Sequence, residues 1–193
     1  MCLNEFTQKY STLQQVCSPI CARKFNTKKE VDKRVTDMKR QIKSSAPFDT
    51  LQTLINTIVR LLDRGHACIT SNAPYGSYVV NAGHYFSRGS NATLRYNLLN
   101  IFNQCQVDND RKGGKGSNYS LRLKEIFGEG VRDEIEGLVK KYPSIHLTKM
   151  EAKDKCKIAG EIIRELEAHD IELSTEYRIL VRRKLNERIG IYL

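Results

Sequence analysis

The spacing of one histidine and two asparagines constrains this chain more than anything else in it. Gly83-His84 closes an apolar run, Asn100 opens another 16 residues later, and Asn109 follows four residues after Cys105, ahead of a Lys-Gly turn. That order suits a small platform made of a hairpin and a following helix. In such a platform a hairpin strand presents an imidazole that takes a proton from water. The helix turns a metal ligand back toward it, so that the attacking hydroxide and a phosphate meet between them. His84 is read as the base and Asn109 as a metal ligand. Asn100 is read as the residue that holds the base-carrying loop, because a carboxamide can both donate to and accept from backbone.

Charge narrows the partner. The 193 residues carry a net charge of +10 and a pI near 9.4, which points to a polyanion. No apolar run approaches the ~18 residues of a membrane span, and the opening Met1-Cys2-Leu3-Asn4-Glu5-Phe6 lacks the apolar core of a signal peptide. The expectation is a soluble cytoplasmic protein whose partner is nucleic acid and not a membrane. Six scattered cysteines fit reduced thiols and metal ligands rather than disulfides.

From Arg23 to Lys43 nine cations stand against Glu30, Asp32 and Asp37, while Val31, Val35, Met38 and Ile42 recur at helical steps. This predicts an amphipathic helix whose charged face, including Lys33, Arg34 and Arg40, contacts phosphate. After Ser44-Ser45-Ala46-Pro47, the stripe Phe48, Leu51, Leu54, Ile55, Ile58, Val59 and Leu62 reads as a core helix, closed by Gly65. Ala67–Thr70 and Tyr78–Val80 are short β-prone runs joined by turn residues. Arg88 and Arg95 offer guanidinium forks for phosphate. The basic glycine-rich run with Lys112 and Lys115 lacks phosphate-loop spacing but allows close backbone approach to DNA. Beyond Val131 the pattern is helical, with a capping box at Thr148–Glu151. Arg178, Arg182, Arg183, Lys184 and Arg188 read as a second basic surface.

At Ala82-Gly83-His84-Tyr85, Leu94-Arg95-Tyr96-Asn97, Asn100-Ile101, Gln104-Cys105, Asn109 and Lys112, and on through Leu121, Ile126-Phe127-Gly128, Val131 and Asp133–Glu136, the sequence resembles the NinG (Rap) recombination proteins of lambdoid phages. The likeness covers about residues 66 to 140, with a second piece near the N-terminus. It implies an offshoot of the His-Me finger (HNH) endonucleases that cuts branched DNA. It also implies two C-x-x-C pairs clamping the finger through zinc, which here have become Cys68-Ile69-Thr70-Ser71 and Cys105-Gln106-Val107-Asp108. Two thiolates, a serine and an aspartate make a weak zinc site, so Cys68, Cys105 and Asp108 are read as a remnant and the finger as held by packing. The acidic residue the family pattern implies three positions before the base is Asn81, which weakens a hard-metal site by lost charge. Cys2, Cys17 and Cys21 resemble the zinc-binding module beside the family's finger, with its first ligand missing.

The expected fold class is α+β: mostly α-helical with a small ββα (HNH-like) finger and a degenerate N-terminal zinc knuckle. The expected organisation is a knuckle-like module over 1–25, basic and core helices over 26–65, the finger over 66–128 and a helical region over 129–193. The expected function is structure-selective cleavage of branched or Holliday-type DNA. Mg²⁺ or Mn²⁺ would be held by Asn109 and Asn81, and Zn²⁺ would be structural at the N-terminus. A homodimer and contacts with other phage recombination proteins are further expectations. The alternatives are a junction-binding module that does not cut, and a zinc-knuckle protein that binds another recombination protein.

Overall fold

The computed structural model describes residues 15–18, 20–23, 25–26, 29, 46–110, 116–142, 146–169 and 172–191. The chain divides into two compact units, Met1–Ala46 and Pro47–Leu193. In the first, residues 20–23 and 25–26 are helical. Cys2, Lys33, Arg34, Arg40 and most of the expected basic helix lie outside the described residues, as do Lys112 and Lys115.

The second unit is α+β, with helices around one two-stranded antiparallel sheet. Helix α1 (Ala46–Leu62) begins with Pro47 in its first turn, where a missing N–H costs nothing, and buries Leu51, Ile55, Ile58, Val59 and Leu62. Gly65, at φ +81°, turns the chain out of it. Strand β1 (Val80–His84) pairs with β2 (Ile101–Cys105) in a register running from Val80↔Cys105 to His84↔Ile101. Helix α2 (Gln106–Asp110) follows β2 directly, then α3 (Gly116–Phe127), α4 (Glu129–Lys141), α5 (Lys149–His169) and α6 (Thr175–Ile189). The Thr148–Glu151 capping box forms: the Thr148 amide donates to Glu151 Oε2 at 2.7 Å, and the Glu151 amide donates to Thr148 Oγ1 at 3.2 Å.

Two cores flank the chain entering β2. A single 3-10 turn, Leu98–Asn100, leads into β2, and its three-residue period sends Leu98 and Ile101 into one core with α1, α5 and α6, while Leu99 and Phe102 enter the other with Tyr119, Leu123, Ile135 and Leu138. Backbone trapped between two apolar layers still needs hydrogen-bond partners, and α6 supplies them. Asn186 Oδ1 accepts the Leu98 amide at 2.9 Å, and Arg182 donates to the carbonyls of Leu98 (3.0 Å) and Ile101 (3.2 Å).

Two sequence expectations are corrected here. Ala67–Thr70 is not a strand: the Cys68 amide donates to the Ala73 carbonyl and the Asn72 amide to the Cys68 carbonyl, closing a tight turn with Asn72 at φ 58°. The second β-prone run starts its ladder only at Val80 and continues to His84. The basic surface expected of Arg178, Arg182, Arg183, Lys184 and Arg188 loses Arg178 and Arg182 to the interior, and Arg183 and Arg188 are paired with carboxylates. Arg178 and Arg182 are buried and clamp the fully buried Asp63 from both carboxylate oxygens, each at 2.8 Å. Arg183 pairs with Glu134, and Arg188 with Glu165.

Candidate active site

His84 ends β1, and its Nε2 lies 2.9 Å from the Arg95 carbonyl oxygen. A carbonyl only accepts, so the proton sits on Nε2 and Nδ1 carries the lone pair. Burial, with the charges of Arg88 and Arg95 acting the same way, holds the imidazole down to about pKa 4, although the Arg95 carbonyl opposes the shift. His84 is therefore neutral, and able to take a proton, across the physiological range.

The loop that carries the Arg95 carbonyl is held one residue earlier, at Leu94, by Asn100, which is fully buried where the chain enters β2. Asn100 Oδ1 accepts the Phe86 amide at 2.8 Å, and Nδ2 donates to the carbonyls of Phe86 and Leu94, both at 3.0 Å. The ends of the loop between the strands are thus pinned to one side chain. A second pin comes from α3: the Tyr119 hydroxyl accepts the Phe102 amide at 3.1 Å and donates to the Gly83 carbonyl at 2.8 Å. Gly83 has to be glycine because a Cβ there would lie 2.8 Å from Gln104 Cβ.

His84 lines a polar cleft of about 460 Å³ together with Asn81 from β1, Arg88 from the loop and Asn109 from α2. Asn100 lies behind the loop, outside the lining, and acts through backbone. Arg95 also lies outside it: its guanidinium turns to α1, donating to Gln52 Oε1 at 3.2 Å and lying 3.5 Å from Asp49. What Arg95 gives the site is its carbonyl.

Asn56 and Arg60 of α1 also line the cleft, and the sequence reading missed both. Their signal was present: Gln52, Asn56 and Arg60 stand four residues apart, a polar row along a helix read only for its apolar stripe. Gln52 Nε2 donates to Asn56 Oδ1 at 2.9 Å, so Gln52 joins Arg95 to the wall of the cleft.

The donor set for a hard cation is two amide oxygens, Asn81 and Asn109, with no carboxylate among the described lining residues. It suits a weakly held divalent ion whose other ligands are water and phosphate oxygens.

Cys68, Cys105 and Asp108 are brought together as a buried cluster, with ligand atoms within 4.8 Å of one another. Their hydrogen-bonding capacity is already engaged. Asp108 Oδ2 accepts the Thr70 hydroxyl at 2.8 Å, Cys68 Sγ accepts the Cys105 amide at 3.2 Å, and Ser71 Oγ lies 3.8 Å from Cys105 Sγ. Burial disfavours the Cys68 thiolate, but hydrogen bonds from Ser71, Thr70 and backbone outweigh it and bring the thiol down to about 7. Burial pushes the Cys105 thiol up. In the first unit, Cys17 Sγ and Cys21 Sγ are 3.5 Å apart, close to the ~3.8 Å edge that two thiolates on one tetrahedral zinc define.

A family model described as "Bacteriophage Lambda NinG protein" matches residues 1–170. The chain is similar to "Protein ninG" of Escherichia phage lambda and of Salmonella phage P22, 35% identical to each over 85 residues, 44% of this chain and 41% of each relative. It is likewise 35% identical over 85 residues to "Protein ninG" of Enterobacteria phage H19B, 44% of this chain and 42% of that relative. The chain thus spans about two fifths of the length of the relatives it matches. No solved structure matches. No helix of the described residues is long and apolar enough to cross a membrane.

Proposed function

The chain belongs to the bacteriophage lambda NinG family, and we propose that it is a DNA endonuclease of the His-Me finger class acting on branched recombination intermediates in the host cytoplasm. One observation carries the reading. A histidine at the end of a hairpin strand is held through Nε2 by a backbone carbonyl, is kept neutral, and lines the same polar cleft as an asparagine from the helix that follows the hairpin. Burial alone accounts for a neutral, hydrogen-bonded imidazole; its place in one cleft with Asn109 is what favours a general base, which has to be unprotonated before it takes a proton.

In this reading Nδ1 of His84 takes the proton of the attacking water, and the Arg95 carbonyl stabilises the imidazolium that forms by accepting from Nε2. Asn100 fixes the loop beside that carbonyl by binding the carbonyl of Leu94. Arg88 neutralises the phosphate. Asn109 and Asn81 would hold Mg²⁺ or Mn²⁺, which when bound supplies Lewis-acid stabilisation of the phosphate and of the leaving oxygen. Structural Zn²⁺ belongs to the N-terminal unit, with Cys17 and Cys21 as ligands and Cys2 as the third. The net charge of +10 supports DNA as the partner. A homodimer suits a nuclease that cuts two strands symmetrically, and other phage recombination proteins are the natural further partners.

The test is cleavage of a labelled four-way junction against a matched linear duplex, with Mg²⁺ or Mn²⁺, by wild type and His84→Ala. Junction nicking by wild type, with binding but no cutting by the variant, supports the reading. Salt-dependent binding by both and cutting by neither refutes it, and leaves a finger retained for binding. The absence of a carboxylate from the cleft lining favours this as the second reading.

A further inference from the structure

We propose that the wall of the cleft built by α1 is its phosphate-binding surface, with Arg60 as the principal contact and the Asn56 amide beside it. The inference rests on the reading above, that this cleft receives a nucleic-acid backbone, and it adds residues from an element outside the hairpin and its helix.

The argument is one of donors and acceptors. Asn56 Oδ1 is occupied by Gln52, so what Asn56 has left to offer is its NH₂ group. Arg60 carries only donors, and among the described residues its hydrogen bond runs from Nη2 to the neighbouring Thr57 hydroxyl at 3.0 Å. Among the described residues no carboxylate pairs with Arg60, whereas Arg95, Arg122, Arg132, Arg183 and Arg188 each face one. A half-buried guanidinium lining a cleft without a counter-ion is the arrangement that binds an anion, and a planar fork matches two phosphate oxygens. Asn81 and Asn109 present carboxamide oxygens able to face a cation, so the cation ligands come from β1 and α2, and the donors for an anion come from Arg60 and Asn56 of α1 together with Arg88 of the loop.

The position on α1 also explains the polar row. Residues 52, 56 and 60 lie along one side of a helix whose other side is packed into the core. Gln52 is nearly fully buried and is held by Arg95. The row therefore fixes Asn56 from behind and leaves Arg60 at its open end.

The experiment uses the full chain and two fluorescent probes, a four-way junction and a linear duplex. Affinity is measured in EDTA as a function of NaCl, and single-turnover cutting is measured with Mg²⁺, for wild type, Arg60→Ala, Arg60→Lys and a control, Arg164→Ala, at an exposed site on α5. Loss of one phosphate contact lowers the salt slope by about 0.9, and loss of one charge-stabilising donor slows cutting by about 100-fold. The expected result is both effects for Arg60→Ala, a retained slope with partly slowed cutting for Arg60→Lys, and neither effect for Arg164→Ala. If Arg60→Ala fails to fold, Arg60→Lys and Arg60→Gln carry the same comparison.

The two readings fail differently. If wild type cuts, His84→Ala does not, and Arg60→Ala matches wild type in slope and rate, the phosphate wall is refuted and the nuclease reading stands. If wild type never cuts but Arg60→Ala still flattens the slope, the phosphate wall stands and the nuclease reading falls. No salt-dependent binding by wild type overturns both.

Discussion

Replacing Asn100 with alanine removes three hydrogen bonds at a residue with no exposed surface. Each is worth about 1 kcal/mol net in a folded protein, so the variant should lose about 3 kcal/mol. That is a large fraction of the 5–15 kcal/mol typical of a whole domain. The loss has a location. Asn100 holds the carbonyls of Phe86 and Leu94, and the residue after Leu94 supplies the carbonyl bound to His84 Nε2. Freed from that clamp, the loop lets water surround more of the imidazole, and the burial that holds His84 near pKa 4 weakens. The expected outcome is therefore double: a lower urea midpoint with an unchanged m-value, and a histidine whose NMR titration moves from about 4 toward 6.5. A variant that keeps its stability to within ~0.5 kcal/mol, with His84 still titrating near 4, would show that the loop is held by packing and that the clamp is incidental.

Two further outcomes follow from buried charge. His84 is depressed from 6.5 to about 4, so between those values the unfolded chain binds the extra proton. The associated stability is present above pH 6.5 and is lost as pH falls toward 4, by at most about 3 kcal/mol. Thermal melting across that window should show the loss in wild type and not in His84→Asn, and the acid limb of any cleavage profile should lie near pH 4 instead of 6.5. Asp63 accepts from Arg178, Arg182 and the Asn103 amide, each at 2.8 Å. Asp63→Ala leaves two buried guanidiniums without their carboxylate and should cost about 3–5 kcal/mol in equilibrium denaturation. A shift below ~1 kcal/mol would mean that another carboxylate takes over as their partner.

The parts legible in the sequence were those set by local rules. Helical periodicity placed α1 and α5, and the Thr148–Glu151 spacing marked the start of α5, because turn-to-turn contacts depend only on residues three and four apart. Helix α6 instead buries Arg178, Arg182 and Asn186 and leaves Tyr177 and Leu180 exposed. His84 and Asn109, close in sequence, line one cleft, whereas Asn100 lies behind the loop. The tight turn at Cys68–Ala73 was not readable, because β-propensity describes a residue's fit to a pleated surface and is silent on whether a partner strand is present.

Charge was the least legible property. A row of arginines in a sequence looks the same whether it faces water or a buried aspartate. Arg178 and Arg182 went inward because backbone caught between two cores needed donors and Asp63 needed counter-ions, and both requirements arise only when residues more than 80 positions apart are packed together. Arg60 shows the reverse. It sits on a helix whose sequence reads as core, yet its side chain lines a cleft whose other walls come from β1, the loop and α2. The sequence by itself determined the long helices and which residue types could do chemistry, while the strand pairing of Val80–His84 with Ile101–Cys105 was settled by the fold. The tertiary structure decided which cations are spent on folding and which face the cleft, because long-range burial and not residue type sets the partner a charge must find.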